Sequence, residues 1–217
     1  MTTIWTLTMN PCIDKSARVE SVVPERKLRC TDPQYEPGGG GVNVSRAIAK
    51  LGGESLAIYL AGGPLGQVFH DLLQKEGVRH VVTPVAGMTR ESLVVYETST
   101  GQQYRFGMPG PSVREEEWTE CLEQLQRTEP KPKFVVATGS LPPGAPKDFY
   151  ARVGSLAKGF GAKMVLDTVG EPLALAARGG LFLMKPNLRE LEALADQDLE
   201  SEQDQEQLAR RVVEEGK

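Results

Sequence analysis

Bulky and hydroxylated side chains alternate from Ile4 to Met9 with the period of a strand, and the run ends in the turn pair Asn10-Pro11. From Asp14 to Pro37 no helical period appears. Ala17 to Val23 and Lys27 to Tyr35 read as two strands around Pro24-Glu25-Arg26, a flap-sized hairpin. Gly38 to Gly41 then lead into Val42, Val44, Ala47, Ile48 and Leu51, whose spacing is helical, and Gly52-Gly53 stops that helix. Ser55 to Ala61 is a buried strand, Gly62 to Gly66 turns into a helix that runs through Glu76, and Val78 to Val82 is strand-like. Leu93 to Glu97 and Gln103 to Phe106 flank Thr100-Gly101 as a second, antiparallel hairpin. The alternation then resumes: helix over Arg114 to Arg127, strand over Phe134 to Ala137, helix over Lys147 to Phe160 and strand over Met164 to Leu166. Glu171 to Arg178 (helix), Leu181 to Met184 (strand), and Asn187 to Leu194 with Glu202 to Glu215 (helices) complete it.

Strands joined by crossover helices imply an α/β fold, a mostly parallel sheet with helices on both faces. The two hairpins, over approximately 15–36 and 90–107, form a separate small β layer. With no repeat, low-complexity tract or linker, residues 1–217 read as a single domain. In such folds ligands bind beyond the carboxyl ends of the strands. The segments after the strands supply Asp14, the four glycines with Asn43, the Gly62 to Gly66 turn, Gly139-Ser140, Asp167, and Lys185 with Asn187 and Glu190.

Composition narrows the function classes. The formal net charge of −4 argues against a nucleic-acid coat and a polybasic membrane anchor, while a small anionic ligand stays open. From Asp196 onward eight acidic residues face three basic ones, which reads as a solvated helix. No apolar stretch approaches a membrane span and Met1 to Asn10 lacks a signal-peptide pattern, so a cytoplasmic protein is expected. Cys12, Cys30 and Cys121 form no CxxC pair and read as reduced thiols.

Four consecutive glycines before a helix favour close backbone approach to a ligand over a merely flexible turn. They fit neither GxGxxG nor GxxxxGK[ST]. Asn187 with Glu190 three residues on has the spacing of a capping box, and Lys185-Pro186 before it adds a cation suited to a phosphate or metal-water site. Lys27, Arg29, Arg90 and Arg105 place four cations on the two hairpins, where a phosphorylated substrate would explain them, although single surface cations are commonly solvated. Asp14 and Asp167 each suit an Asx turn as well as a site, and His70 and His80 read as structural. The aromatics form no stacking platform, so single-stranded nucleic acid is not expected.

In order along the chain stand Thr6-Leu7-Thr8 with Pro11 and Asp14, Lys27-Leu28-Arg29-Cys30-Thr31, and Glu36-Pro37 followed by Gly38 to Asn43 and Val44. Ala61-Gly62-Gly63 with Gly66, Gln103-Tyr104-Arg105-Phe106, Gly139-Ser140-Leu141-Pro142-Pro143-Gly144, and Lys185-Pro186-Asn187 with Glu190 follow. This set resembles the PfkB branch of the ribokinase-like sugar kinases from end to end. The resemblance implies a Rossmann-like ribokinase fold with a β lid that also forms a homodimer interface. It implies transfer of the ATP γ-phosphoryl group to the 1-hydroxyl of fructose 6-phosphate. By the same resemblance Asp14, Gly39 and Asn43 hold sugar hydroxyls, and Lys27, Arg90, Arg105 and Ser140 hold the sugar phosphate, some from the partner's lid. Lys185 and Asn187 face ATP phosphates, and Glu190 organises Mg2+ through water. The family's GAGD-type motif, which carries the proton acceptor, does not occur in residues 1–217, so the resemblance implies a missing C-terminal third and no catalytic base in this chain. Tagatose 6-phosphate or 1-phosphofructokinase chemistry, and a non-catalytic sugar-phosphate-binding or dimerising remnant, are the alternatives.

Overall fold

The computed structural model describes residues 4–195, 197–199 and 201–215. Six strands form one all-parallel sheet: β1 (Ile4–Thr8), β4 (Leu56–Ala61), β5 (His80–Pro84), β8 (Phe134–Thr138), β9 (Lys163–Asp167) and β10 (Leu183–Met184). Their order is β10-β9-β8-β1-β4-β5. The chain moves outward from β1 through β4 to β5, returns across the sheet, and moves outward the other way from β8. The winding therefore reverses between β1 and β8, and a crevice opens beyond their carboxyl ends.

Both faces are covered. On β1 the side chains alternate, so Trp5, Leu7 and Met9 face one way and Thr6 and Thr8 the other. The first set joins the main core with Trp118, Cys121 and Leu125 of α3 (Glu115–Arg127), Tyr150 and Val153 of α4 (Phe149–Gly159) and Leu173 of α5 (Glu171–Ala177). On the opposite face Ala57 and Tyr59 pack with Val42 of α1 (Gly40–Lys50) and with Phe69 and Leu73 of α2 (Gly63–Lys75). The short α6 (Leu188–Ala195) and α7 (Glu202–Glu215) share a small cluster of Leu191, Leu199 and Leu208, so the acidic tail buries one face rather than being solvated all round. Asp196, Glu200, Gly216 and Lys217 of that tail, like Met1 to Thr3, lie outside the described residues. Among the described residues no helix is long and apolar enough to cross a membrane.

The lid is a second, four-stranded sheet, β3-β2-β6-β7, from β2 (Cys12–Val19), β3 (Thr31–Gly38), β6 (Arg90–Glu97) and β7 (Gln103–Gly107). It differs from two abutting hairpins: its central pair, β2 and β6, is parallel, with Cys12 opposite Arg90. The first hairpin is also displaced from its expected position. β2 begins at Cys12 and ends at Val19, β3 begins at Thr31, and residues 20–30 form an exposed excursion that contains the Pro24-Glu25-Arg26 turn. Glu25 takes φ 59°, the left-handed region, so the turn is as expected but its neighbours are not strands. Pairing with both β3 and β6 draws Cys12 to Ser16 into the sheet, and local β-propensity at 20–23 does not outweigh that. Asp14 therefore lies within a strand, not in the loop after β1, and Lys27 lies on the excursion.

A buried carboxylate ties the lid together. Glu97 accepts from the Val22 amide at 2.6 Å, the Thr100 hydroxyl at 2.5 Å and the Tyr104 hydroxyl at 3.3 Å. These bonds, the Thr100 hydroxyl first, hold its carboxyl below the usual range near 4.5. A lowered folded value means that the stabilisation is complete above the unfolded value and is lost as pH falls through the folded one. Amide exchange over residues 20–30 and 97–104 should thus accelerate, relative to the main sheet, below about pH 4.5, and Glu97→Gln should remove that pH dependence.

The glycines after β3 let α1 sit directly on the strand ends. A Cβ at Gly41 would lie 2.5 Å from the Leu7 carbonyl oxygen and 2.7 Å from Thr8 Oγ1, and one at Gly40 would lie 1.7 Å from Thr138 Oγ1. Hydroxyls complete the contact: Thr8 Oγ1 accepts from the Val42 amide at 2.9 Å, and Thr6 and Ser55 each hydrogen-bond Ser45 at 2.8 Å. Gly41→Ala should destabilise the protein by about 1–3 kcal/mol in urea unfolding despite the better helix propensity of alanine, because the clash is with backbone.

Candidate functional site

The crevice between β1 and β8 collects most of the residues expected to bind sugar. Gly39, at φ 112°, is the N-cap of α1 and brings no side chain to its first-turn amides. Its carbonyl accepts from the Asn43 amide at 2.9 Å. Asp14 stands beside this turn: a Cβ on Gly38 would lie 2.2 Å from Asp14 Oδ2, so glycine is required there for the carboxylate to occupy its place. Gly139, from the end of β8, approaches Gly40 from the other side, with its Cβ position 4.0 Å from the Gly40 nitrogen.

Gly139 is firmly held. Its carbonyl accepts from the buried Tyr150 hydroxyl and from Thr168 Oγ1, both at 2.9 Å, and its amide donates to the Asp167 carbonyl at 2.9 Å. Ser140, next in the chain, is thereby set against Asn10, whose Nδ2 donates to Ser140 Oγ at 3.3 Å. The Asn10 carbonyl in turn accepts from Arg90 Nη2 at 3.2 Å, and Arg90 Nη1 donates to the Met108 carbonyl at 3.1 Å. Asn10 Oδ1 and Arg90 Nε are buried and make no hydrogen bond within the chain.

Asn10 is the residue that sequence reading took only as part of a turn. It bridges Arg90 of the lid and Ser140 of the sheet. Its signal was the Asn-Pro pair, which announces a turn but not a site. Gly110 makes room for it, since a Cβ there would come within 2.1 Å of Asn10 Oδ1.

Arg105, exposed on β7, and Asp14 line one cleft of about 440 Å³ with Glu36 and Ser92. Asp14, Gly39, Asn43, Arg90, Arg105 and Ser140 thus lie around the crevice and the cleft that adjoins it at Asp14, whereas Lys27 stands on the exposed 20–30 excursion. Farther along the same edge, Lys185 Nζ lies 3.4 Å from Asp167 Oδ1, at the ends of β10 and β9. Three strand spacings separate β1 from β10, about 14 Å, room for two ligands side by side. Asn187 and Glu190 form the capping box: Asn187 donates from its amide to Glu190 Oε2 at 2.8 Å and from Nδ2 to Oε1 at 2.7 Å, while Glu190 N donates to Asn187 Oδ1 at 3.0 Å.

A family model described as pfkB family carbohydrate kinase matches residues 4–217. The chain belongs to the pfkB family of carbohydrate kinases. It is 42% identical over 214 residues to an ATP-dependent 6-phosphofructokinase isozyme 2 of Mycobacterium tuberculosis, an alignment covering 99% of the chain and 63% of that relative. The isozyme 2 of Escherichia coli is 40% identical over 218 residues, 100% of the chain and 70% of the relative. A crystal structure of the Escherichia coli phosphofructokinase-2 in complex with fructose-6-phosphate superposes with a TM-score of 0.93 at 40% identity, over 100% of this chain and 71% of that one. The chain thus spans somewhat less than two thirds of the first of these pfkB relatives.

The three thiols are free and differ sharply in environment. Burial, followed by a 3.1 Å hydrogen bond to Asp14, pushes Cys12 up to about 11, and burial pushes Cys121 up to about 12. Cys30 is exposed on the excursion. A thiol reagent at pH 8 should therefore modify Cys30 rapidly and reach Cys12 and Cys121 only on unfolding, as peptide mass mapping would report.

Proposed function

We propose that this chain forms the sugar-phosphate-binding part of an ATP-dependent 6-phosphofructokinase, which transfers the ATP γ-phosphoryl group to the 1-hydroxyl of fructose 6-phosphate and yields fructose 1,6-bisphosphate. The observation that carries the reading is 40% identity along the full chain to a phosphofructokinase-2 whose crystal structure has fructose-6-phosphate bound. The arrangement of the crevice supports it. The Asp14 carboxylate accepts hydrogen bonds from sugar hydroxyls, and Gly39 and Asn43 supply further polar contacts beside it. Arg90, Arg105 and Ser140 take the 6-phosphate, with Lys27 brought in on its excursion from the same lid or a partner's.

ATP lies along the β8 to β10 side in this reading, with Lys185 and Asn187 on its phosphates. Lys185 exchanges its 3.4 Å partner Asp167 for a phosphate oxygen. The Glu190 carboxylate spends one hydrogen bond on each oxygen and keeps a lone pair on each, so it fits a hard cation held through water. Mg2+ commonly relies on one or two protein carboxylates plus substrate phosphates, and Glu190 offers one such carboxylate. When bound, Mg2+ supplies charge neutralisation at the transferring group. In this reading the residues named above bind and orient the two substrates, and none of them is assigned as proton acceptor for the 1-hydroxyl.

The lid also supports self-association. Tyr35, Phe106 and Met108 are exposed on or beside it, an apolar surface that suits a second copy of the chain, and the Escherichia coli phosphofructokinase-2 has a solved structure in a tetrameric inhibited form. A 1-phosphofructokinase of Bacillus subtilis is 31% identical over 213 residues, which ranks that specificity second.

Titration calorimetry with fructose 6-phosphate, fructose 1-phosphate and tagatose 6-phosphate should show fructose 6-phosphate bound tightest. Arg105→Ala should weaken it roughly ten- to hundredfold through loss of a charge-assisted contact. Tighter fructose 1-phosphate binding would transfer the assignment to the second specificity, and absence of sugar-phosphate binding would overturn the reading.

A further inference from the structure

Arg46 lies on α1 three residues after Asn43, on the same helix face. A guanidinium has five N–H donors in a fixed fork, and here all five are engaged. Nε donates to Glu76 Oε2 at 2.7 Å, and Nη2 to Glu76 Oε1 and Glu36 Oε1, both at 2.8 Å. Nη1 donates to the Pro37 carbonyl at 3.1 Å and to Asn43 Oδ1 at 3.2 Å. The side chain is only 11% exposed. Hydrogen bonding to Glu76 outweighs burial and holds the guanidinium above its already high usual value.

The partners belong to separate elements. Glu76 is the C-cap of α2, where a carboxylate meets the negative end of the helix dipole. Glu36 and Pro37 lie on β3 immediately before Gly38 and Gly39. Glu36 is also the cross-strand neighbour of Asp14, and both line the same cleft. Two carboxylates directly opposite on a sheet repel, and the guanidinium offsets that repulsion on the Glu36 side. Because Arg46 has donors only, it fixes which end of the Asn43 amide faces it: Oδ1 turns inward and Nδ2 is left free to donate.

We infer that Arg46 is a positioning residue of the site, orienting Asn43 to present Nδ2 to the ligand and clamping the end of β3 to α1 and α2 so that Gly38, Gly39 and Asp14 keep their places. The ligand group that meets Asn43 is then a hydrogen-bond acceptor, such as a sugar hydroxyl oxygen. The amide half of this inference rests on the sugar-site reading, while the clamp half does not.

The test is Arg46→Lys, which keeps the charge but not the fork, with Glu36→Gln as a milder second variant that frees only the strand. Arg46→Lys should weaken fructose 6-phosphate roughly tenfold in calorimetry while binding of inorganic phosphate changes less than about twofold. In its background Asn43→Ala should add less than about twofold. Hydrogen exchange over 31–39 should accelerate in both variants, with or without ligand. Unchanged exchange in Arg46→Lys would overturn the clamp. Equal weakening of both ligands, or fructose 6-phosphate affinity within about twofold of the parent, would overturn the orienting role. A parent chain that binds no fructose 6-phosphate would overturn the sugar site and the orienting role together, and the exchange data would still decide the clamp.

Discussion

The absence of side chains where α1 meets the sheet is the constraint on which the site depends. Gly40 and Gly41 bring the helix start within contact of the Thr138 hydroxyl and the Leu7 carbonyl, closer than any Cβ permits. Buried hydroxyls of Thr6, Thr8 and Ser45 then join α1 to β1 beside the apolar contacts of Val42 with β4, and they satisfy one another and the Val42 amide. The result is a helix terminus anchored in the crevice between β1 and β8, with its amides beside Asp14 and Asn43. A larger residue at either glycine would push the start of α1, and Asn43 with it, away from the strand ends.

Around that anchor the molecule divides the work between two sheets. The parallel sheet supplies rigid points: Gly139 held by Tyr150 and Thr168, Lys185 beside Asp167, and the Asn187–Glu190 box. The lid supplies cations, and its attachment combines buried Ile13, packed with Val42, Tyr59 and Phe69, with a set of polar ties. Asn10 joins Arg90 to Ser140, Glu97 joins the excursion to the hairpin turn, and Arg46 joins β3 to two helices. Polar ties of this kind fix direction as well as distance, so the lid's cations are held in set orientations.

The alternation of strands and helices was legible because each element of the sheet carries its own period, as Trp5, Leu7 and Met9 against Thr6 and Thr8 show. Asp14, Gly39, Asn43 and Ser140 stand out as residues that follow strands, and Arg90 and Arg105 as cations on the hairpins. Single surface cations are commonly solvated and Asp14 suits an Asx turn, so their roles rest on the family resemblance. The structure sets them around the crevice and the cleft that adjoins it. Two kinds of feature escaped. The limits of β2 and β3 are set by pairing with β6, a partner far along the chain, and no local pattern at residues 12–38 encodes it. Asn10 and Arg46 act through neighbours brought from other elements, and in sequence they look like a turn residue and a helix-surface arginine.

The parallel pairing of β2 with β6 also makes the small sheet a non-local structure. Cys12 cannot meet Arg90 until the intervening chain, which holds α1, β4, α2 and β5, has compacted enough to close that loop. Non-local pairing carries this entropy before any contact repays it. The β1–β8 pairing of the main sheet, Ile4 opposite Phe134, closes a longer loop still and encloses the first, so the two sheets are nested in the chain and neither is a local structure that a short segment could form alone.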